Sequence, residues 1–172
     1  ANDLRLLSSG PNTGLAEIEL PAVQPGSSIM PGKVNPVMAE MTAMVAFQVI
    51  GHDATVAMAV QAGQLELNVM MPVVAYNLLQ AMTLLTKTSR VFARRCISGI
   101  TANRALCRAY AERSLALVTA LAPRLGYFHA AAIAKASLTT RKPAIELVVE
   151  QGLLSRKQAA RLLDPVTLAG IR

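Results

Sequence analysis

Apolar side chains cover nearly every face of the chain between Pro36 and Gly63. A helix that is apolar all round is a buried helix. The pattern therefore predicts one long helix, from about residue 36 to residue 61, in the core of a helical bundle. The apolar positions are Val37, Met38, Met41, Met44, Val45, Phe47, Val49, Ile50, Val56, Met58 and Val60.

The length of this run approaches that of a membrane span, but Gln48, His52 and Asp53 lie in its middle. Polar and charged groups are costly at the centre of a bilayer, so a bundle core is the preferred interpretation and no membrane partner is predicted. We expect His52 to be satisfied within the bundle rather than to form a catalytic pair with Asp53. The methionines are expected to fill the core, not to bind metal.

A second long helix is predicted between residues 67 and 97, after a break at Gly63. Pro72 lies near its start, where proline is tolerated, and Gly99 follows its last turns as a stop signal. Two long helices joined by a short turn are typical of an antiparallel hairpin in a bundle.

Shorter helices and more frequent breaks are predicted beyond Gly99, and Ser155 with Gln158 forms a capping-box pattern at the start of the last helix. The predicted segments are a helix ending near Ser9, irregular chain over 12–24, and helices over 103–121, 127–137, 143–151 and 155–163. The predicted fold class is all-α, with long helices of a central helical bundle followed by a small C-terminal helical domain. We expect residues 1–104 to form part of the bundle domain and residues 105–172 to form the small domain.

The composition is too apolar for a free-standing domain. Hydrophobic residues make up 53% of the chain and charged residues only 16%, below an ordinary share of about 25%. We therefore expect apolar surface that is covered by something outside this sequence, as in a fragment of an oligomer.

The net charge of +7 raises the possibility of a nucleic-acid partner. However, three Tyr, three Phe and no Trp offer no platform for stacked bases, so no nucleic acid is predicted. The alternative function among nucleic-acid-binding proteins is a helix-turn-helix formed by the last two helices, with Arg156, Lys157 and Arg161 on the second of them.

The two cysteines, Cys96 and Cys107, have neither metal-ligand spacing nor a CxxC pattern. We expect two reduced, packed thiols and a cytoplasmic protein. No cofactor and no metal site is predicted.

The segment Pro25 to Pro36 is predicted to be a surface loop, since its two glycines and three prolines exclude regular helix and strand. Asn35 is expected to cap the following helix, with Pro36 at its first position and Glu40 in its first turn. A lysine, hydroxyls and a helix N-terminus together suit a carboxylate or phosphate. By composition alone, a Gly/Pro-rich connection with a solvated Lys33 remains the alternative.

The string GSSIMPGKVNP in this loop closely resembles G-S-S-x-M-P-x-K-x-N-P, the signature of the aspartase/fumarase superfamily, and every fixed position matches. ANDLRLLSSGP at the start and AGQLELNVMMPV at residues 62–73 resemble neighbouring family segments. Gln64-Leu65 is like the aspartases, whereas fumarases typically carry Asn-Phe there. Asn12 and Ala16 replace the usual Arg and Gly, which puts a local ion pair at Asn12 in doubt. The resemblance covers essentially the whole chain and corresponds to the C-terminal part of such an enzyme.

The resemblance implies a lyase that removes a Cβ proton from a succinyl-type substrate and forms fumarate through an aci-carboxylate intermediate. In aspartases the leaving group is ammonia, and a class II fumarase acting on L-malate is the alternative. The roles implied are Ser27 as the catalytic base, Lys33 and Asn35 as ligands of the substrate carboxylates, Ser28 as a further contact, Met30 close to the substrate, and Glu40 as the partner of an upstream histidine.

The resemblance also implies a homotetramer whose active sites combine several subunits, so the fragment alone is expected to be inactive. A small dicarboxylate is the expected ligand. The Pro/Gly flanks of the loop are interpreted as those of a mobile lid.

Overall fold

A computed structural model describes residues 1–170, and this part of the chain is mainly helical with one very small sheet. The all-α fold class is confirmed. The α-helices are α1 Asn2–Leu7, α2 Val37–Gln61, α3 Met71–Arg95, α4 Arg104–Arg113, α5 Ala122–Leu125, α6 Tyr127–Thr140, α7 Ala144–Glu150, α8 Arg156–Leu162 and α9 Pro165–Leu168, with 3-10 helices at Ile97–Gly99 and Leu115–Leu121. The strands β1 Ile18–Glu19 and β2 Thr101–Ala102 pair antiparallel, Ile18 opposite Ala102.

The chain divides into two compact units, Ala1–Asn103 and a second that starts at Arg104. The first unit holds α1 to α3 and both strands, and the second holds α4 to α9. Each unit is described separately below.

In the first unit, α2 and α3 pack against each other as a hairpin. The residues of α2 that are buried include three alanines, Ala39, Ala43 and Ala59, and small side chains let two helices approach closely. Larger apolar residues of the same helix stay exposed, with Phe47 at 61% and Met58 at 72%. The apolar helix expected to be buried is therefore largely uncovered within a single chain.

His52 is buried between the two long helices and is satisfied there, as predicted. Its Nδ1 contacts Asn77 Oδ1, and Gln48 Nε2 lies 3.4 Å from its Nε2. Asn77 Nδ2 donates to the Val73 carbonyl at 2.7 Å, which leaves Asn77 Oδ1 as the acceptor for the imidazole N–H. A polar cluster of this kind fixes which residues of α2 and α3 face each other.

Judged only by length and composition, α2 is a helix that could cross a membrane. Core helices of soluble bundles pass the same test. The buried His52–Asn77 contact shows that part of this helix is adapted to pack against protein.

Several helix boundaries differ from those predicted, two of them by four residues or more. The second long helix begins at Met71, not at residue 67, because Gln64 and Leu67 exchange backbone hydrogen bonds of 2.8 and 3.0 Å in a tight turn. The helix predicted over 103–121 ends at Arg113. Ser114 then caps a separate 3-10 helix by accepting a hydrogen bond from the Ala116 N–H.

The second unit has a hydrophobic core of its own, and its central side chains are fully buried: Leu121, Ile133 and Val148. The predicted capping box of α8 is confirmed, since Ser155 accepts from the Gln158 N–H and Gln158 accepts from the Ser155 N–H. This core is built mainly from the 3-10 helix Leu115–Leu121 and from α6, α7 and α8.

Candidate functional site

The loop from Pro25 to Pro36 is closed at its base by backbone hydrogen bonds. The Gly26 N–H donates to the Lys33 carbonyl at 2.8 Å, and the Lys33 N–H donates to the Met30 carbonyl at 3.2 Å. A Cβ on Gly26 would lie 2.6 Å from the Lys33 carbonyl oxygen. Only glycine therefore permits this closure.

Ser27 is half-buried inside this closed loop, and its hydroxyl oxygen receives two backbone hydrogen bonds. The N–H groups of Ile29 and Met30 both donate to Ser27 Oγ at 3.2 Å. Successive N–H groups that converge on one oxygen stabilise negative charge there. Negative charge that develops on Ser27 Oγ is therefore stabilised by these two N–H groups.

Asn35 does not cap α2, so this part of the prediction is wrong. The helix begins at Val37 with Pro36 in the N-cap position and without a side-chain cap. The Asn35 amide instead turns back and donates to the Gly26 carbonyl at 3.2 Å. Its side chain holds the base of the loop, because the Gly26 carbonyl is available as an acceptor.

A concave surface of about 520 Å³ lies beside Ser27 and is lined by residues 22–25, 27 and 30–34. Lys33 is the single charged residue among these lining residues, which include no carboxylate. Met30 lies here too and is 48% exposed. A cation next to a hydroxyl, with no competing acid, suits a carboxylate ligand.

The structure brings Ser27, Met30 and Lys33 to one surface, and the other predicted site residues do not line it. Ser28 is exposed in the loop but does not line the concavity. Glu40 lies half-buried in the first turn of α2. Within residues 1–170 its carboxylate makes no hydrogen bond or ion pair, which leaves it available to a partner from elsewhere.

The sequence alone did not show which backbone N–H groups donate hydrogen bonds to the Ser27 hydroxyl. Serine hydroxyls often bond to nearby backbone groups in turns, so GSS predicts the type of contact. The backbone geometry at residues 29 and 30 decides which N–H groups make it.

The described residues also include no group of three or more His, Cys, Asp and Glu placed to hold a metal ion. Burial raises the pKa of the Cys96 thiol, which favours its neutral form. Neither observation adds a catalytic group to the loop.

Comparisons with known proteins bear on the same loop. A family model described as lyase matches residues 1–51, which include the loop, and a model described as fumarase C C-terminus matches residues 117–170. Aspartate ammonia-lyase of Bacillus subtilis (strain 168) is 50% identical over 165 residues, or 96% of this chain and 35% of that protein. Class II fumarate hydratase of Mycobacterium tuberculosis (strain CDC 1551 / Oshkosh) is 51% identical over 164 residues, or 95% of this chain and 35% of that protein.

The fold agrees with these relatives. The crystal structure of fumarate lyase:delta crystallin from Brucella melitensis bound to cobalt matches with a TM-score of 0.93 at 52% identity, covering 98% of this chain and 36% of that one. The chain thus spans little more than a third of the length of the relatives it matches. By its loop, its helices and these relatives, the chain belongs to the aspartase/fumarase superfamily and corresponds to the C-terminal part of its members.

Proposed function

We propose that this chain supplies the signature loop of a lyase that converts L-aspartate reversibly to fumarate and ammonia. The observation that carries the proposal is Ser27 Oγ, which receives two backbone N–H groups beside the lone cation Lys33. The relatives named aspartate ammonia-lyase and fumarate hydratase support a reaction of this class.

Ser27 acts as the base that takes the Cβ proton. The electron pair left on Cβ delocalises into the adjacent carboxylate and then forms the Cα–Cβ double bond, while the Cα–N bond breaks and ammonia leaves. The Ile29 and Met30 N–H groups stabilise the serine alkoxide before the proton is taken, and Lys33 stabilises the carboxylate charge that follows.

The other loop residues position the substrate. Asn35 holds the base of the loop through Gly26 and, with Lys33, binds the substrate carboxylates, while Ser28 supplies a further polar contact. Met30 lines the concavity and offers the substrate an apolar contact. Glu40 orients a histidine from a segment outside this chain.

Activity requires an assembly, proposed here to be a homotetramer. The long stretch of exposed apolar side chains on α2 and α3 supports a shared bundle between subunits. We expect the chain alone to be inactive, because it spans only about 35% of the relatives' length.

The identities of 50% and 51% do not separate the two named reactions. The aspartase-like Gln64-Leu65 pair favours aspartate, and class II fumarase remains the alternative. The test is the absorbance of fumarate formed from L-aspartate or from L-malate by the assembled enzyme. Fumarate from malate alone would replace the first proposal with the second, and fumarate from neither substrate would overturn both.

A helix-turn-helix role gains no support from the geometry. Glu146 and Glu150 of α7 line the same groove as Arg156 of α8. Carboxylates at that position would repel the phosphates that a recognition helix must approach.

A further inference from the structure

The charges of the two units differ. Residues 1–103 hold six Lys or Arg and six Asp or Glu, whereas residues 104–172 hold eleven and four. The four acidic residues of the second unit nevertheless line a single groove: Glu112, Glu146, Glu150 and Asp164. The acidic residues of this strongly basic unit are thus concentrated on one surface.

The volume and the apolar lining of this groove are those of a small-molecule site. Its volume is about 500 Å³, and its lining includes the buried side chains of Leu117, Ala144 and Leu163. Ligand sites typically combine such an apolar floor with a few polar groups that fix orientation.

Three of the four carboxylates are already engaged. Glu112 pairs with Arg108 at 2.8 Å, and Glu150 pairs with Lys142 at 2.6 Å. Asp164 accepts hydrogen bonds from Thr167 at 2.6 and 3.0 Å.

The two remaining charged groups of the groove are Glu146 and Arg156. In the part of the chain that the structure describes, neither side chain makes a hydrogen bond or an ion pair, and no ion pair joins the two. Both residues are exposed, so one anion and one cation line the same groove in contact with water and without a direct partner among the described residues.

From this arrangement we propose that the groove binds an α-amino acid with an aliphatic side chain. Its ammonium group pairs with Glu146, its carboxylate pairs with Arg156, and its side chain lies on the apolar floor. The groove carries two more acidic than basic residues, so a second carboxylate is repelled and a dicarboxylic amino acid such as aspartate binds weakly. This site does not depend on the proposed lyase activity.

Calorimetric titration of the 172-residue chain with L-leucine tests the proposal. We expect saturable binding that weakens about ten- to a hundredfold in Arg156→Gln and in Glu146→Gln, since each loses one charged hydrogen bond. The matched controls are Lys157→Gln, next to Arg156 on the same helix, and Glu66→Gln in the first unit. Both lie outside the groove and should bind leucine as the unchanged chain does.

Analogues of the ligand test each charge separately. Leucinamide lacks the carboxylate, and 4-methylpentanoate lacks the ammonium group, so each should bind at least about tenfold more weakly than L-leucine. L-Aspartate should also bind more weakly. Absence of saturable leucine binding, equal binding of either analogue, or equal effects of the control and groove variants would each overturn the proposal.

Discussion

The two units of this chain reach stability in different ways. The second unit buries leucine, isoleucine and valine side chains in a core of its own, around Leu121, Ile133 and Val148. The first unit buries mainly alanines between α2 and α3 and leaves Met44, Phe47 and Ile50 more than 60% exposed. The unit that carries the signature loop therefore leaves much of the apolar surface of its longest helices uncovered in a single chain. If the proposed function holds, chemistry and assembly are linked in the first unit.

The largest effect that separates the units is expected for Ser27→Ala in the assembled enzyme. Loss of a general base should lower turnover about a hundredfold to ten-thousandfold, while the loss of the two loop hydrogen bonds should cost no more than about 1 kcal/mol of stability. The measurement is steady-state fumarate formation together with thermal unfolding. Ser155→Ala is the control in the second unit: it removes the capping box, so it should cost about 1 kcal/mol of stability and leave turnover intact. Turnover retained in Ser27→Ala would refute the assigned base.

Truncating one buried and one exposed isoleucine tests whether each unit has a complete hydrophobic core within a single chain. Ile133 is 1% exposed and Ile50 is 67% exposed. Ile133→Ala should lower the free energy of unfolding of the second unit by about 2–5 kcal/mol. Ile50→Ala should change the folding of a single chain by less than about 0.5 kcal/mol, and should instead weaken association, measured by sedimentation. Equal effects of the two variants on unfolding would contradict the comparison.

The polar contact inside the first unit gives a smaller effect. Asn77→Leu leaves the buried imidazole of His52 without its Asn77 acceptor, so stability should fall by about 1–3 kcal/mol. Urea unfolding followed by circular dichroism measures the loss. Ser89→Ala, at an exposed position of the same helix, should have little effect, and an equal loss there would show that the buried pair is not specific.

The smallest expected effect concerns acid stability of the second unit. Hydrogen bonds from Thr167 hold the pKa of Asp164 below its ordinary value, with a further contribution from Arg108. This carboxylate therefore contributes stability above its unfolded pKa, and the contribution is lost as the pH falls through its lower folded pKa. Asp164→Asn should flatten the pH dependence of the melting temperature in acid, and Thr167→Val should do so partly. An unchanged acid profile in both variants would contradict the assignment.

The sequence predicted the all-α class, both long helices and the capping box at Ser155, because periodicity and capping are properties of neighbouring residues. It also predicted that apolar surface would remain uncovered, since 53% hydrophobic residues exceed what one small domain can bury. The prediction failed at Asn35, where capping propensity competed with an acceptor nine residues away, the Gly26 carbonyl. It also failed at Ser114, where an alanine- and leucine-rich stretch concealed a change of helix type.

The site was predicted in its residue types more fully than in its geometry. The signature pattern named Ser27, Lys33 and the other candidates, but the Ile29 and Met30 N–H donors depend on backbone angles that side-chain identity does not specify. The groove of the second unit gave no local signal, because its lining comes from four separated segments of the chain.

The closure of the loop at Gly26 has a consequence for how such enzymes can change. The loop is held by two backbone hydrogen bonds and one amide, none of which involves the side chain of Ile29. Ile29 is 84% exposed, so this position can accept new side chains without displacing the serine hydroxyl. Directed evolution toward bulkier or differently charged substrates should therefore find tolerated mutations at Ile29, and almost none at Gly26.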